Sequence, residues 1–369
     1  MNPLSEIISR EAAERGVLPF ARFMELALYC PVHGYYETEK DNPGRHGDYY
    51  TSVGVGELFG QLLAFQFAEW LQVEVHSPQS TVQIVEAGAH DGRLARDILA
   101  WLQLKRPKLF EQIEYWVIEP SPRRQKWQKE TLKDFAPRVR WFTSLEHASR
   151  ITHHEKFNGI IFSNELLDAM PVHRLGWDAQ NKKWFEWGVA VAGVKIVWAK
   201  IQPSAPACDL SEFSLKPSAL DSVLPDGYTI EVSPAAENWW REAAQVLGRG
   251  KLLTIDYGYT ANKLFSPARM QGTLRAYFRH HASDDLLANV GEQDLTAHVN
   301  FSEIQKVGEA CGLTTESFST QSQFLTQILE KAAKDNSLGT WTSAQARQFQ
   351  TLTHPEHLGR AFRVLVQSR

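Results

Sequence analysis

The chain has 369 residues, 43% hydrophobic and 22% charged, which is ordinary globular usage and excludes both a single small module and a chain disordered throughout. Its 39 Lys and Arg against 43 Asp and Glu leave a net charge of -4, so no global field draws it to nucleic acid or to an anionic membrane. Cys30, Cys208 and Cys311 lie far apart, which fits a reducing compartment and provides neither a disulfide framework nor a zinc ligand set.

The first residues, MNPLSEIISREAAERG, carry Glu6, Glu11 and Glu14 and lack the features of a signal or transit peptide, and no stretch approaches the ~18 apolar residues of a membrane span; a cytoplasmic protein is expected. Residues 3–30 read as two helices broken near Gly16 and Pro19, the second with Phe20, Phe23, Met24, Ala27 and Leu28 on one face. Residues 31–56, rich in Gly and Tyr, form a candidate lid, followed by a helix bearing Phe59, Leu62, Leu63, Trp70 and Leu71. From Thr81 short apolar runs alternate with helices: TVQIVE, RLARDILAWLQ, EYWVIE, RRQKWQKETL, RVRWFT, NGIIFSNE. That alternation predicts an α/β fold, a doubly wound parallel sheet whose ligands bind at the carboxyl ends of its strands. Residues 172–228 look like inserted β-hairpins before helix and strand resume at ENWWREAAQVLGRGKLLTIDYG and FSEIQKVGEACGLTTESFS, and RAFRVLVQSR supplies a last strand. The expected organisation is an N-terminal helical and lid region over 1–75 and a sheet domain over 76–369, with insertions at about 172–228 and about 259–300.

At the first strand end, VEAGAHDGRLARD combines an acid, Glu86, with Gly88, which permits a tight turn and close backbone approach, and Gly92, which opens the next helix. Glu119 ends the second strand, placed to accept hydrogen bonds from a ribose diol. A dinucleotide is disfavoured, because His90 and Arg93 replace the small residues of a pyrophosphate turn. Glu86 would repel pyrophosphate but pair with an ammonium, which suits the amino-acid end of S-adenosylmethionine. After the fourth strand, SNELLDAMPVH brings Asn164, Glu165 and Asp168 across the crevice, where two carboxylates on one face of a helical turn could clamp a guanidinium; the plainer alternative is a turn-capping Asp168 and a solvated Glu165. Asp91 reads as a helix cap, Asp256 as a substrate contact or a turn support, and the neighbouring tryptophans around 184–240 chiefly as core. The pairs His153-His154 and His280-His281 lack metal-ligand spacing, so no metal is expected.

The segments PFARFMELALYCPVHGYY, GDYYTS, EAGAHDGRL, VIEPSPRRQKWQ, SNELLDAMPVHRL, LLTIDYG, GTLRAYFRHH, GEQDLTAHVNF and LGRAFRVLVQS run in order along nearly the whole chain. Their combination resembles the MidA-like S-adenosylmethionine-dependent methyltransferases, relatives of the mitochondrial complex I assembly arginine methyltransferase. The resemblance implies a class I methyltransferase sheet, Rossmann-like, with an N-terminal helical lid region and an inserted β-rich substrate region. It implies S-adenosylmethionine as cofactor and a protein arginine as methyl acceptor, with a respiratory-complex subunit as the partner class. Carried over by position, Thr51, Ser52, Glu86, Gly88, Gly92, Glu119 and Asn164 would bind the cofactor, and Glu165 and Asp168 would be catalytic; Arg275 and His298 would lie in the substrate channel. His90 stands where the family's turn has its middle glycine, and Val53-Gly54 follow Thr51-Ser52 in place of Pro-Glu. A cofactor-binding assembly factor without catalysis and a small-molecule methyltransferase are the alternatives.

Overall fold

The computed structural model describes residues 2–38, 51–74, 81–152, 156–193, 195–201, 224–279, 281–334 and 337–369. Residues 39–50 of the expected lid, Cys208, and His153, His154 and His280 lie outside the described residues. The alternation of apolar runs becomes a seven-stranded central sheet. Its strands are β1 (Val82–Ala87), β2 (Ile113–Ile118), β3 (Val139–Phe142), β4 (Phe157–Asn164), β5 (Leu247–Tyr259), β6 (Thr314–Thr320) and β7 (Phe362–Ser368). They lie in the order β6-β7-β5-β4-β1-β2-β3. The five strands from β5 to β3 are parallel, and β7 runs antiparallel to both β5 and β6. A short strand, Val299–Asn300, pairs in parallel with the end of β5.

All six residues of β1 are buried, as expected of a strand covered by helices on both faces. One layer includes the helices Leu58–Glu74 and Arg93–Lys105. Leu94, Ala95, Ile98, Leu99, Trp101 and Leu102 of the latter recur at helical spacing and are buried, and Pro107 follows soon after its end. The other layer includes Pro234–Val246 and Phe301–Ala310, with Trp240 fully buried between them and β7. The direction in which successive strands are added reverses between β1 and β4: β2 and β3 build outward on one side, β4 and β5 on the other. This switch point opens a crevice at the strands' carboxyl ends.

The 172–228 insertion contributes antiparallel strands His173–Asp178, Lys183–Ala192 and Lys195–Ile201, joined by Thr229–Val232. Leu18–Pro19 adds to Lys183–Ala192, and only glycine fits at Gly188, where a Cβ would meet the Leu18 carbonyl oxygen at 2.5 Å. The later insertion forms a three-stranded sheet of Arg275–Phe278, His281–Ser283 and Asp294–Thr296. Helices Pro3–Arg15 and Phe20–Tyr29 share one apolar cluster with residues of both insertions, among them Val172, Val189, Leu274 and Leu295. The stretch read as one N-terminal region therefore divides its packing, since Leu58–Glu74 is buried against the central sheet. No helix among the described residues is long and apolar enough to cross a membrane.

Candidate active site

A cavity of about 370 Å³ lies at the ends of β1, β2 and β4, beside the switch point and within the ~300–1,000 Å³ usual for small-molecule sites. Glu86, at its β1 wall, is 3% exposed and accepts a 2.6 Å hydrogen bond from the Tyr115 hydroxyl on β2. Burial pushes the Glu86 carboxyl up to about 7, opposed by the Tyr115 hydrogen bond and assisted by the charge of Asp91. The chain then turns through three left-handed residues, Gly88, His90 and Gly92, at φ 73°, 46° and 84°. A Cβ on Gly88 would stand 2.8 Å from Leu166 Cδ1, so glycine keeps this loop close to the turn after β4. His90 adopts the backbone shape that a glycine would adopt without strain, and a histidine tolerates it better than a β-branched residue would.

Asp91 accepts from the Arg93 backbone N–H at 3.1 Å and the Arg93 Nε at 2.6 Å. Burial opposes its ionisation, but His90 and Arg93 outweigh that and hold the carboxyl down to about 2. Asp91 therefore ties down the first helical residue from the position before the N-cap, which is Gly92, rather than serving as the cap that the sequence reading expects. Gly92 precedes the helix Arg93–Lys105 and is not part of the cavity wall, so its place is the turn rather than direct cofactor contact.

Glu119 follows β2, fully buried yet on the cavity wall. It accepts from the Ser121 N–H at 2.9 Å and Gln128 Nε2 at 3.1 Å, and Arg124 Nε lies 3.3 Å away. A carboxylate has about four lone-pair positions, so a ribose diol would take what these three partners leave. The N-terminal segment closes this end: the Ser121 hydroxyl donates to Glu37 Oε2 at 2.8 Å, Arg123 Nη1 donates to the Glu37 carbonyl at 2.6 Å, and the Arg124 guanidinium lies 5.7 Å from the Tyr36 ring.

Across the crevice, Glu165 sits at φ 52°, its N–H donating to the Ile255 carbonyl of β5 at 2.9 Å. Its Oε1 accepts from the Ser52 N–H and Asn164 Nδ2, each at 3.0 Å, while Oε2 is buried without a hydrogen-bond partner among the described residues. Asn164 Oδ1 is likewise buried and unsatisfied. Burial pushes the Glu165 carboxyl up to about 8 against its two hydrogen bonds, and the charges of Asp256 and Asp294 add to the rise. A pair of orphaned acceptors beside a cavity is the arrangement that a donor-rich ligand would complete.

Asp168 is placed differently from the sequence expectation. Residues after Glu165 form no helical turn, because Asp256 gathers their backbone: its Oδ2 accepts from the N–H groups of Leu166, Leu167 and Asp168 at 3.1, 2.8 and 3.4 Å. The Asp168 carboxyl lies outside the cavity wall and hydrogen-bonds Asp256, with burial and then the Asp256 charge raising it well above the ordinary carboxylate range. Burial raises the Asp256 carboxyl too, to about 6, so both members of this acid pair are shifted toward the protonated form. Asp256 is thus the turn support rather than the substrate contact. Ser52 also departs from its expected part: its hydroxyl donates to Gln321 Oε1 at 3.0 Å, and its contribution to the site is the N–H that holds Glu165. Thr51 does line the cavity, and its hydroxyl accepts from Gly54 N–H at 2.8 Å. The cavity wall also contains Tyr29, Tyr36 and Arg124, which the sequence reading did not single out; only Arg124 carried a signal, as a cation five residues after Glu119.

A family profile described as "Putative S-adenosyl-L-methionine-dependent methyltransferase" matches residues 62–319. The chain belongs to this methyltransferase family. It is similar, at 31% identity and a TM-score of 0.82, to a crystal structure from Burkholderia thailandensis bound to S-adenosyl-homocysteine, covering 99% of this chain and 92% of that one. Among curated relatives, the mitochondrial protein arginine methyltransferase NDUFAF7 homolog of Drosophila melanogaster is 28% identical over 98% of this chain and 84% of its own length. The Homo sapiens protein arginine methyltransferase NDUFAF7 is 28% identical over 84% of this chain and 69% of its own length. S-adenosylmethionine is accordingly the methyltransferase's cofactor, and the glycine turn, the buried Glu86 and the open lone pairs of Glu119 fit it. The cytoplasmic expectation is corrected by these relatives, which are mitochondrial proteins; the acid-bearing start of the chain was a poor guide to compartment.

Proposed function

We propose that this methyltransferase methylates arginine side chains of a protein, with Glu165 as its catalytic residue. The curated relatives are named protein arginine methyltransferases, and the resemblance points to a respiratory-complex subunit as the partner class. The observation that carries the reading is Glu165 Oε2, an orphaned buried carboxylate oxygen at the cavity, locked in direction by Ser52 and Asn164 through its other oxygen.

When bound, S-adenosylmethionine supplies an electrophilic sulfonium methyl. Glu86 would hold the ammonium of its amino-acid end, the Gly88 turn would let backbone approach it, and Glu119 would accept from the ribose. A guanidinium is a poor nucleophile because its lone pairs are delocalised and its pKa exceeds ~12. Glu165 Oε2 answers this by localising the positive charge on the far nitrogens, orienting the attacking nitrogen and receiving the proton that it gives up. A cation at this position also restores the carboxylate form that burial disfavours. Asp168 and Asp256 act through the turn that presents Glu165, as positioning residues.

The test is incubation of the purified protein with radiolabelled S-adenosylmethionine and a mitochondrial lysate, resolved by size and then by mass spectrometry. Label on arginine of a protein band supports the reading. Label in low-mass material, or cofactor binding without any transfer, rejects it.

A further inference from the structure

Beyond Tyr257, around Tyr259 at the carboxyl end of β5, three arginines contribute positive charge without a counter-ion among the described residues. The Arg269 and Arg363 guanidiniums lie 4.5 and 5.8 Å from the centroid of the Tyr259 ring, and His298 meets the same ring edge-on at 5.0 Å. Arg269 Nε and His298 Nδ1 are buried without hydrogen-bond partners. Burial, followed by the positive charges of Arg269, Arg275 and Arg363, pushes His298 down to about 4, so it adds no charge at neutral pH and can accept or donate. Cation-π contact with Tyr259 holds Arg269 and Arg363, and the Nη1 groups of Arg275 and Arg363 also donate to the backbone carbonyls of Leu274, Arg360 and Phe362, contacts that neutralise none of the charges. Among the described residues none of these three arginines makes an ion pair with a carboxylate.

This cationic edge is joined to the acidic interior by two tyrosines. Tyr257 stacks on His298 at 6.5 Å, and its hydroxyl, deep among protein atoms, feels the charges of Glu165 and Asp168. Burial raises the Tyr277 hydroxyl, which feels the charge of Arg275 as well as those of Asp294 and Asp168. Tyr257 also lines a second cavity of about 790 Å³ against the helix Ser343–Thr353, with Arg347 and His357 on its wall. The arrangement is bipolar: carboxylates inside, where a guanidinium would be held, and the partly exposed guanidiniums of Arg269 and Arg363 with the exposed Arg275 outside.

We infer that Arg269, Arg275 and Arg363 form a carboxylate-binding subsite that takes an acidic side chain of the protein substrate close in sequence to the methylated arginine. The inference rests on the arginine reading above, which supplies the guanidinium at Glu165. Arginine's planar fork matches a carboxylate in two parallel hydrogen bonds, and the unsatisfied Arg269 Nε is a donor such a group would complete, joined by His298 Nδ1 in the tautomer that carries the ring proton there. The subsite would select arginines in an acidic context and reject those in basic tracts by repulsion.

The experiment uses the full chain with S-adenosylhomocysteine present and fluorescein-labelled peptides having one central arginine flanked either by glutamates or by glutamines. Anisotropy should show about tenfold tighter binding of the glutamate peptide at low salt, a preference that shrinks as salt rises. In the double variant Arg269→Gln and Arg363→Gln, the preference should vanish while S-adenosylhomocysteine affinity and circular dichroism stay unchanged. Equal affinities in the native protein, or a preference that survives in the variant, would overturn the subsite. Displacement of the glutamate peptide by a glutamate-free peptide as readily as by itself would overturn it too, as would tight binding of a short RNA in its place. Methyl transfer is read separately with labelled cofactor: flank-dependent binding without label on the peptide keeps the subsite and removes the arginine reading.

Discussion

On the β1–β2 side of the cleft, Asp91 and Glu119 each have a guanidinium partner as well as backbone donors. On the β4–β5 side, Glu165 and Asp256 have backbone or amide donors, and the charges that face Glu165 are those of other carboxylates. The first half is mostly paired before any ligand arrives and can serve as a rigid seat; Glu86, which accepts from the Tyr115 hydroxyl and is pushed up to about 7 by burial, is the group left for the cofactor's ammonium. The second half holds negative groups in a place that disfavours them, and a cationic ligand would relieve that cost. Preorganisation and unsatisfied charge are thus divided between the walls of one cavity, which is the division that cofactor retention and acceptor activation call for.

The sharpest way to break this contrast is Glu165→Gln. Its kcat should fall about 10²–10³-fold, the range seen when one charge-stabilising group is removed, while S-adenosylhomocysteine affinity by calorimetry stays within about threefold. An equal loss of binding and turnover would remove the division of labour. Gly88→Val attacks the other wall: a β-branched residue at φ 73°, facing Leu166, should weaken S-adenosylhomocysteine about 100-fold through strain and displacement of the loop. Unaltered binding would show that this turn does not form the seat.

The pH dependence follows from the same contrast. Because the Glu165 carboxyl is raised from 4.5 to about 8 in the fold, kcat/KM should drop about tenfold for each pH unit below 8, the free enzyme holding the acid form there. For stability the sign is opposite. The protonated form's contribution is fully present below about 4.5, erodes as pH rises from there, and is lost by about 8, so the melting temperature of Glu165→Gln should gain on the native protein progressively between those limits and level off above them. The smallest effect belongs to His90→Gly. Relief of left-handed strain and greater unfolded-chain entropy oppose one another, so denaturant unfolding should move by less than about 1 kcal/mol, with cofactor affinity retained.

The fold was legible where local pattern suffices. Each apolar run from TVQIVE to NGIIFSNE became a parallel strand, and Glu86, Glu119 and Asn164 reached the crevice because a doubly wound sheet puts strand ends there. What the sequence hid were bonds made across long separations. The cofactor role expected of Ser52 rests only on its match by position to the family's Thr-Ser, but the Ser52 backbone N–H is committed to an acid 113 residues away. Asp168 looked like a partner of Glu165 because three residues apart suggests one helical face. The Asp256 carboxylate, 88 residues on from Asp168, instead gathers that stretch into a non-helical turn. Backbone conformation set by a distant side chain leaves no periodicity to read.

The tie between Glu37 and the loop after β2 has a consequence for how this chain is held together. Ordering of the first 38 residues and closure of the nucleoside end are linked, and linkage is reciprocal. Whatever factor the nucleoside contributes to fastening the amino-terminal arm, the arm returns as slower escape of the nucleoside, so an antibody or protease that captures the arm would also drain the enzyme of its spent product.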